Sequence, residues 1–234
     1  MNEEIFVNGC KIIEIPFLFY SLKCIDKDNV LVIGERSGEE GIIWSVLQKT
    51  NETNNIQLID LSDVAENSIV QEVLNKRSNV KFKQTDFLDI PDEEKYDYIV
   101  CINVLEHFGM CWNTESPIID WNKDLEAIKK MMSLFNKRII ITVPAGPPIF
   151  YGDCLENGLP FLRRYDKQRI ELIHKIVKEH NCQIVNESFF YSETLNNDWK
   201  KIENGSEAFT DGFGQYQKHT PNCLWIFCIE RNNE

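Results

Sequence analysis

Val30-Leu31-Val32-Ile33-Gly34 is a short β-branched run that ends on a glycine, and the next such run, Ile56-Gln57-Leu58-Ile59, ends on Asp60. Residues 39–49 between them carry apolar side chains at helical spacing, so the segment reads strand, helix, strand. The unit repeats outward. Val80 to Thr85 leads to Asp86, and Tyr98 to Ile102 opens into Asn103-Val104-Leu105-Glu106-His107. Apolar runs alternating with longer helical segments predict a mostly parallel sheet with helices on both faces. Strands are expected near 30–34, 56–60, 80–84, 97–102 and 138–143, and helices near 39–49, 63–77 and 122–135. The last third departs from this pattern. A helix near 167–180, with Asp166 as its N-cap, precedes strand-like runs at 183–190 and 223–230. No helix is evident between those two runs, so they read as an antiparallel pair at the sheet edge.

At 234 residues the chain suits one domain, 1–234, with a full core. Lys and Arg number 25 against 37 Asp and Glu, a net charge of -12 that repels nucleic acid and anionic membrane surfaces. A compact small-molecule target is expected, and a homodimer is left open. Cys24, Cys101, Cys182, Cys223 and Cys228 lie in or beside apolar segments, where a thiol behaves as a small hydrophobe. With no paired-Cys or Cys/His metal spacing and no secretory leader, a cytoplasmic protein with reduced thiols and no metal is expected. No apolar run approaches the roughly 20 residues that cross a bilayer.

Residues 1–28 contain an amphipathic stretch, Ile12 to Ile25 with a break expected at Pro16, read as a helical cover on the sheet or over the mouth of the site. Two irregular stretches, 144–165 and 194–222, are long for connections within a compact domain, and such loops often serve function. The first should follow the fifth strand on the ligand face, as a substrate lid.

The chemistry is expected where strands end. In Gly34-Glu35-Arg36-Ser37-Gly38 a glycine at the strand end lets backbone approach a ligand closely. Asp60 can accept both hydroxyls of a ribose, because two oxygens match a vicinal diol, or Asp60 or Asp63 can cap the following helix. Asp86 is followed by Phe87 and then Asp89. Tyr96 to Gly109 is the most specific piece, an Asp opening an apolar strand that ends in Leu-Glu-His.

Together these residues resemble class I S-adenosylmethionine (SAM) dependent methyltransferases. The resemblance implies a Rossmann-like seven-stranded sheet, mostly parallel, with an antiparallel final strand. It implies SAM as cofactor, met by Gly34, Glu35, Gly38, Asp60, Leu61, Asp86, Phe87, Asn103 and Val104. Asp60 would take the ribose and Asp86 the adenine amino group, while Asn103 would line the methionine portion. The turn departs from the family pattern in carrying Arg36 where a third glycine is usual, and Val32 where an acid is common. The resemblance also puts Leu-Glu-His beside the methyl group.

A hydroxyl acceptor must lose its proton, and His suits that work at neutral pH. His107 ranks first and His219 second as the general base, while His174 and His180 fall in a helix. Glu106 reads as an acceptor contact or as an ion-pair partner of His107. Tyr151, Asp153, Arg163, Arg164 and Tyr165 combine aromatic surface, a carboxylate and two guanidinium groups, a set able to hold an anionic acceptor. Arg163 and Arg164 could equally pair with nearby acids such as Asp166 and Glu171. The tail loosely resembles methyltransferases of bacterial surface-polysaccharide pathways, which implies O-methylation of a carbohydrate or phosphate-bearing sugar. Two other readings stay open. A glycine turn and an acid after the second strand also suit an NAD-dependent oxidoreductase. Val32 and Arg36 equally suit a catalytically silent subunit that binds a partner protein.

Overall fold

A computed structural model describes residues 10–34, 41–63, 67–110, 119–146, 162–193, 198–203, 208–209 and 223–232. The expected βαβ units are present. The parallel strands are β1 (Asn29–Ile33), β2 (Asn55–Asp60), β3 (Val80–Gln84), β4 (Tyr96–Ile102) and β5 (Phe135–Pro144). Helices α2 (Ile42–Lys49), α3 (Ser68–Lys76) and α4 (Lys123–Leu134) join them, behind an N-terminal α1 (Lys11–Ser21). Helix α5 (Lys167–Glu179), β6 (Cys182–Tyr191), β7 (Lys200–Ile202) and β8 (Cys223–Arg231) complete the described elements.

The strands form one sheet in the order β3-β2-β1-β4-β5-β8-β6-β7. The eighth strand corrects the expected count of seven. Strand β7 is three residues with a single apolar side chain, too short to show alternation, and it pairs antiparallel with β6 inside a polar stretch read as loop. The antiparallel pairing expected of the 183–190 and 223–230 runs is present, as β6 with β8. β8 lies antiparallel to both β5 and β6, so it sits inside the sheet and β6 runs in the direction of the central strands.

Strand pleat divides the core in two. Val30, Val32, Ile140 and Ile226 face one way and pack with α1, α2 and α3. Leu31, Ile33, Ile139, Ile141 and Trp225 face the other way and pack with α4 and α5. Near-continuous apolar strands follow from that double coverage.

Helix α1 runs unbroken through Pro16, which corrects the expected break. Proline removes one intrahelical donor. Burial of Ile15, Phe17, Leu18 and Leu22 against the sheet holds the helix through it.

Candidate active site

Strand order reverses between β1 and β4, and in open α/β sheets ligands bind in the crevice outside the carboxyl ends at such a switch point. Gly34, Asp60, Asp86 and Asn103 stand at or just beyond the ends of β1, β2, β3 and β4. Gly34 donates its N–H to the Ile59 carbonyl at 2.8 Å and adopts φ +79°. A Cβ built there would stand 2.4 Å from Cγ2 of Val104, so the glycine leaves no room for a side chain against β4. Glu35 and Gly38 lie outside the described residues.

Asp60 accepts the Ser62 N–H at 2.8 Å, and Leu61 beside it is 59% exposed, an unusual position for leucine. Helix α3 is capped by Asn67, which accepts from Val70 N, so Asp60 is not its cap. Asp86 accepts the Leu88 N–H at 2.9 Å and caps a 3₁₀ turn over Phe87–Asp89. The ring of Phe87 is buried edge-on against Phe108 with centroids 6.1 Å apart, which leaves the backbone, of the two kinds of contact the resemblance implies beside Asp86, to meet a ligand.

The end of β4 is tied to β5 and to α1. Asn103 holds φ +53°, a left-handed conformation that asparagine tolerates. Its N–H lies 3.1 Å from the Thr142 carbonyl and 3.2 Å from Thr142 Oγ1. Thr142 in turn donates Oγ1–H to Glu14 Oε1 at 2.7 Å, and Lys11 Nζ sits 2.8 Å from Glu14 Oε2. Glu14 and Thr142 are fully buried, and Lys11 nearly so. Asn103 Nδ2 reaches Cys10 Sγ at 3.4 Å, while its Oδ1 is buried without a hydrogen-bond partner among the described residues. An acceptor buried in that way costs about 1–3 kcal/mol unless a donor meets it. Sequence reading missed Lys11, Glu14 and Thr142. The available signal was two charges on the apolar stripe of an amphipathic helix, and a threonine in phase with Ile140 on the face that α1 covers.

Leu105–His107 form a 3₁₀ turn. Val104 precedes it, its carbonyl accepting the His107 N–H at 3.0 Å. Glu106 is 3% exposed, and its Oε1 lies 3.9 Å from His107 Nε2, beyond hydrogen-bond length. His219 lies outside the described residues, as do Tyr151 and Asp153.

Arg163 departs from the acceptor contact expected of it. Its guanidinium turns inward, with Nη1 at 2.5 Å from both Asp124 Oδ1 and the Trp121 carbonyl, while Nη2 bonds the Phe108 carbonyl. Its own N–H goes to the Glu106 carbonyl at 3.0 Å. Arg169 grips the same Asp124, with Nε at 3.1 Å from Oδ2 and Nη2 on Oδ1. Asp124, not the Asp166 or Glu171 considered from sequence, is therefore the acid that holds Arg163. Asp166 instead caps α5 by accepting Arg169 N at 2.7 Å. Arg164 and Tyr165 are also buried, and Tyr165 bridges Ala145 beyond the end of β5. Burial, and then the Asp124 charge, push the Tyr165 hydroxyl well above the usual tyrosine range. This cluster locks the turn after β4 to α4 and to the segment after β5. Among the described residues no group of three or more His, Cys, Asp or Glu could hold a metal, and no helix is long and apolar enough to cross a membrane.

No protein-family model matches the chain, and no curated protein does. Solved structures do. N-methyltransferase NodS from Bradyrhizobium japonicum WM9, in complex with S-adenosyl-L-homocysteine (SAH), aligns with TM-score 0.54 at 15% identity over 93% of this chain and 85% of that one. 1,6-Didemethyltoxoflavin-N1-methyltransferase from Burkholderia thailandensis, with its acceptor and SAH bound, aligns at 0.55 and 10% identity over 88% and 72%. A SAM-dependent methyltransferase from Clostridium acetobutylicum ATCC 824 aligns at 0.52 and 13% identity over 99% and 94%. Reversal of strand order at β1/β4, the inserted antiparallel β8 and these alignments together give this chain the Rossmann-like fold of the class I SAM-dependent methyltransferases.

Proposed function

We propose that this protein is a SAM-dependent methyltransferase acting on a small-molecule acceptor. The observation that carries the reading is the row Gly34, Asp60, Asp86 and Asn103 along consecutive strand ends facing the β1/β4 crevice. The residues fit the cofactor. Gly34 offers bare backbone where a Cβ would collide with Val104. Asp60 is placed to accept a ribose diol, with exposed Leu61 beside it as an apolar contact. Asp86 and the main chain of Phe87 would meet the adenine, and Asn103 Oδ1 is an acceptor lacking a donor. Glu35 and Gly38 would complete the turn around the methionine end. Bound SAM supplies an electrophilic methyl group, so the protein's work is to align the acceptor and take up its proton. His107 is the candidate base, with Glu106 beside it at 3.9 Å.

The acceptor proposed from sequence is an oxygen on a carbohydrate, including phosphate-bearing sugars of surface-polysaccharide synthesis. With Arg163 turned inward and Arg164 and Tyr165 also buried, Tyr151 and Asp153 remain from that set as the candidate contacts for the acceptor. Neighbours named as N-methyltransferases make an amine the second acceptor class to screen.

Calorimetry with SAM and SAH on wild type and Asp60→Ala tests the reading. Micromolar binding that weakens at least about tenfold in the variant supports it. Absence of binding by wild type overturns it. NADH fluorescence enhancement in place of SAH binding would mark an oxidoreductase, and SAH binding without turnover on any acceptor would mark the silent subunit.

A further inference from the structure

We propose that Glu14 is a positioning residue of the site, and that helix α1 is through it a working part of the ligand pocket. The groups stand in series. Lys11 Nζ holds one oxygen of Glu14 at 2.8 Å, and the other oxygen accepts the Thr142 hydroxyl proton at 2.7 Å. With its proton committed to Glu14, the hydroxyl can present only lone pairs elsewhere, and the Asn103 N–H lies 3.2 Å from it. Glu14 therefore sets the rotor of Thr142, and Thr142 sets the peptide of Asn103, whose left-handed backbone depends on local hydrogen bonds.

Helix packing alone does not account for this arrangement. Of the remaining buried residues of α1, Ile15, Phe17 and Leu18 are apolar and seat the helix on the sheet, and Ser21 in its last turn is the one other polar side chain. Lys11 and Glu14 are set one turn nearer the carboxyl ends, where an apolar pair would pack at least as well and save the desolvation of two charges. Cys10, at the start of the helix, touches the Asn103 side chain itself. Two contacts from one helical turn thus converge on the residue that closes β4.

The inference rests on the SAM reading for its ligand but not for its geometry. Its test is a double-mutant cycle of Glu14→Leu and Thr142→Val, with Thr142→Ser as the rescue. Each protein is measured for SAH affinity by calorimetry and for the backbone amide resonance and hydrogen exchange of Asn103 by NMR. Glu14→Leu should weaken SAH about tenfold in the wild-type background and less than about twofold when Thr142 is already Val, with Thr142→Ser close to wild type. The Asn103 amide should move with Glu14→Leu, although the two residues share no hydrogen bond. Equal losses in both backgrounds, or an Asn103 amide indifferent to Glu14→Leu, overturn the proposal. Should Glu14→Leu fail to fold because Lys11 is left buried without its acid, the paired replacement Lys11→Met with Glu14→Leu takes its place in the same cycle. Failure of wild type to bind SAH would sink the cofactor reading alone, since the Asn103 amide still decides the positioning role.

Discussion

Gly34 and Val104 lie against each other across the ends of β1 and β4, so closely that a Cβ on Gly34 would come within 2.4 Å of Cγ2 of Val104 and 2.7 Å of Cγ1. The backbone there is left-handed at φ +79°, which adds strain for any L side chain. Gly34→Ala should cost about 2–4 kcal/mol in urea unfolding, from dihedral strain together with overpacking. Adding Val104→Ala should return the steric part and leave the strain. A single Gly34→Ala variant as stable as wild type would show that the two strand ends can part.

Asp124 is fully buried between Arg163 and Arg169. Removing its charge leaves two guanidinium groups facing each other with only carbonyls as partners. Asp124→Asn should destabilise by about 3–5 kcal/mol. Arg169→Met should cost much less, because Arg169 is 18% exposed and Arg163 still neutralises the acid. Equilibrium urea unfolding separates the two, and equal losses would contradict the inward role given to Arg163.

Glu187 on β6 accepts from His174 Nε2 at 2.9 Å and from Trp225 Nε1 at 2.8 Å. Burial pushes its carboxyl up, but the His174 contact and the indole donor outweigh burial and hold it below the usual 4.5. A depressed carboxylate contributes stability that is complete above its unfolded pKa and disappears as pH falls through the lower folded value. Between about pH 6 and pH 3 the wild type should therefore lose more stability than Glu187→Gln. The difference should be small, since the His174 side chain is 43% exposed. Parallel pH profiles would refute the assignment.

Thiol chemistry should report the fold directly. Burial pushes the Cys223 thiol up to about 12 and the Cys228 thiol to about 11, and raises Cys101 further still. Only the thiolate reacts rapidly. Iodoacetamide at neutral pH should leave these three unmodified in the native protein and reach all 8 cysteines in denaturant, as mass spectrometry would read. Prompt native labelling of Cys101 would contradict the central place of β4.

The first half of the chain was legible because β1, β2 and β4 are short apolar runs closed by Gly34, Asp60 and Asn103, and burial on both faces favours that composition. Helix α5 was legible through its Asp166 cap. The role of α1 was not, since Lys11 and Glu14 acquire meaning only beside Thr142, which lies more than a hundred residues away. Arg163 was misread for a related reason. A guanidinium able to grip a ligand is equally able to grip a buried acid, and sequence does not reveal that Asp124 stands opposite. Strand β7 borrows its pairing from β6 and carries no periodicity of its own.

Because β8 threads between β5 and β6, the ribosome must deliver Cys223–Arg231 before two long strand edges acquire neighbours. Until then β5 presents its row Ile139-Ile140-Ile141 with one side unpaired, a template for another nascent chain. The newborn protein is thus most vulnerable before β8 emerges, and its yield should depend on expression temperature and chaperone supply more than its final stability would suggest.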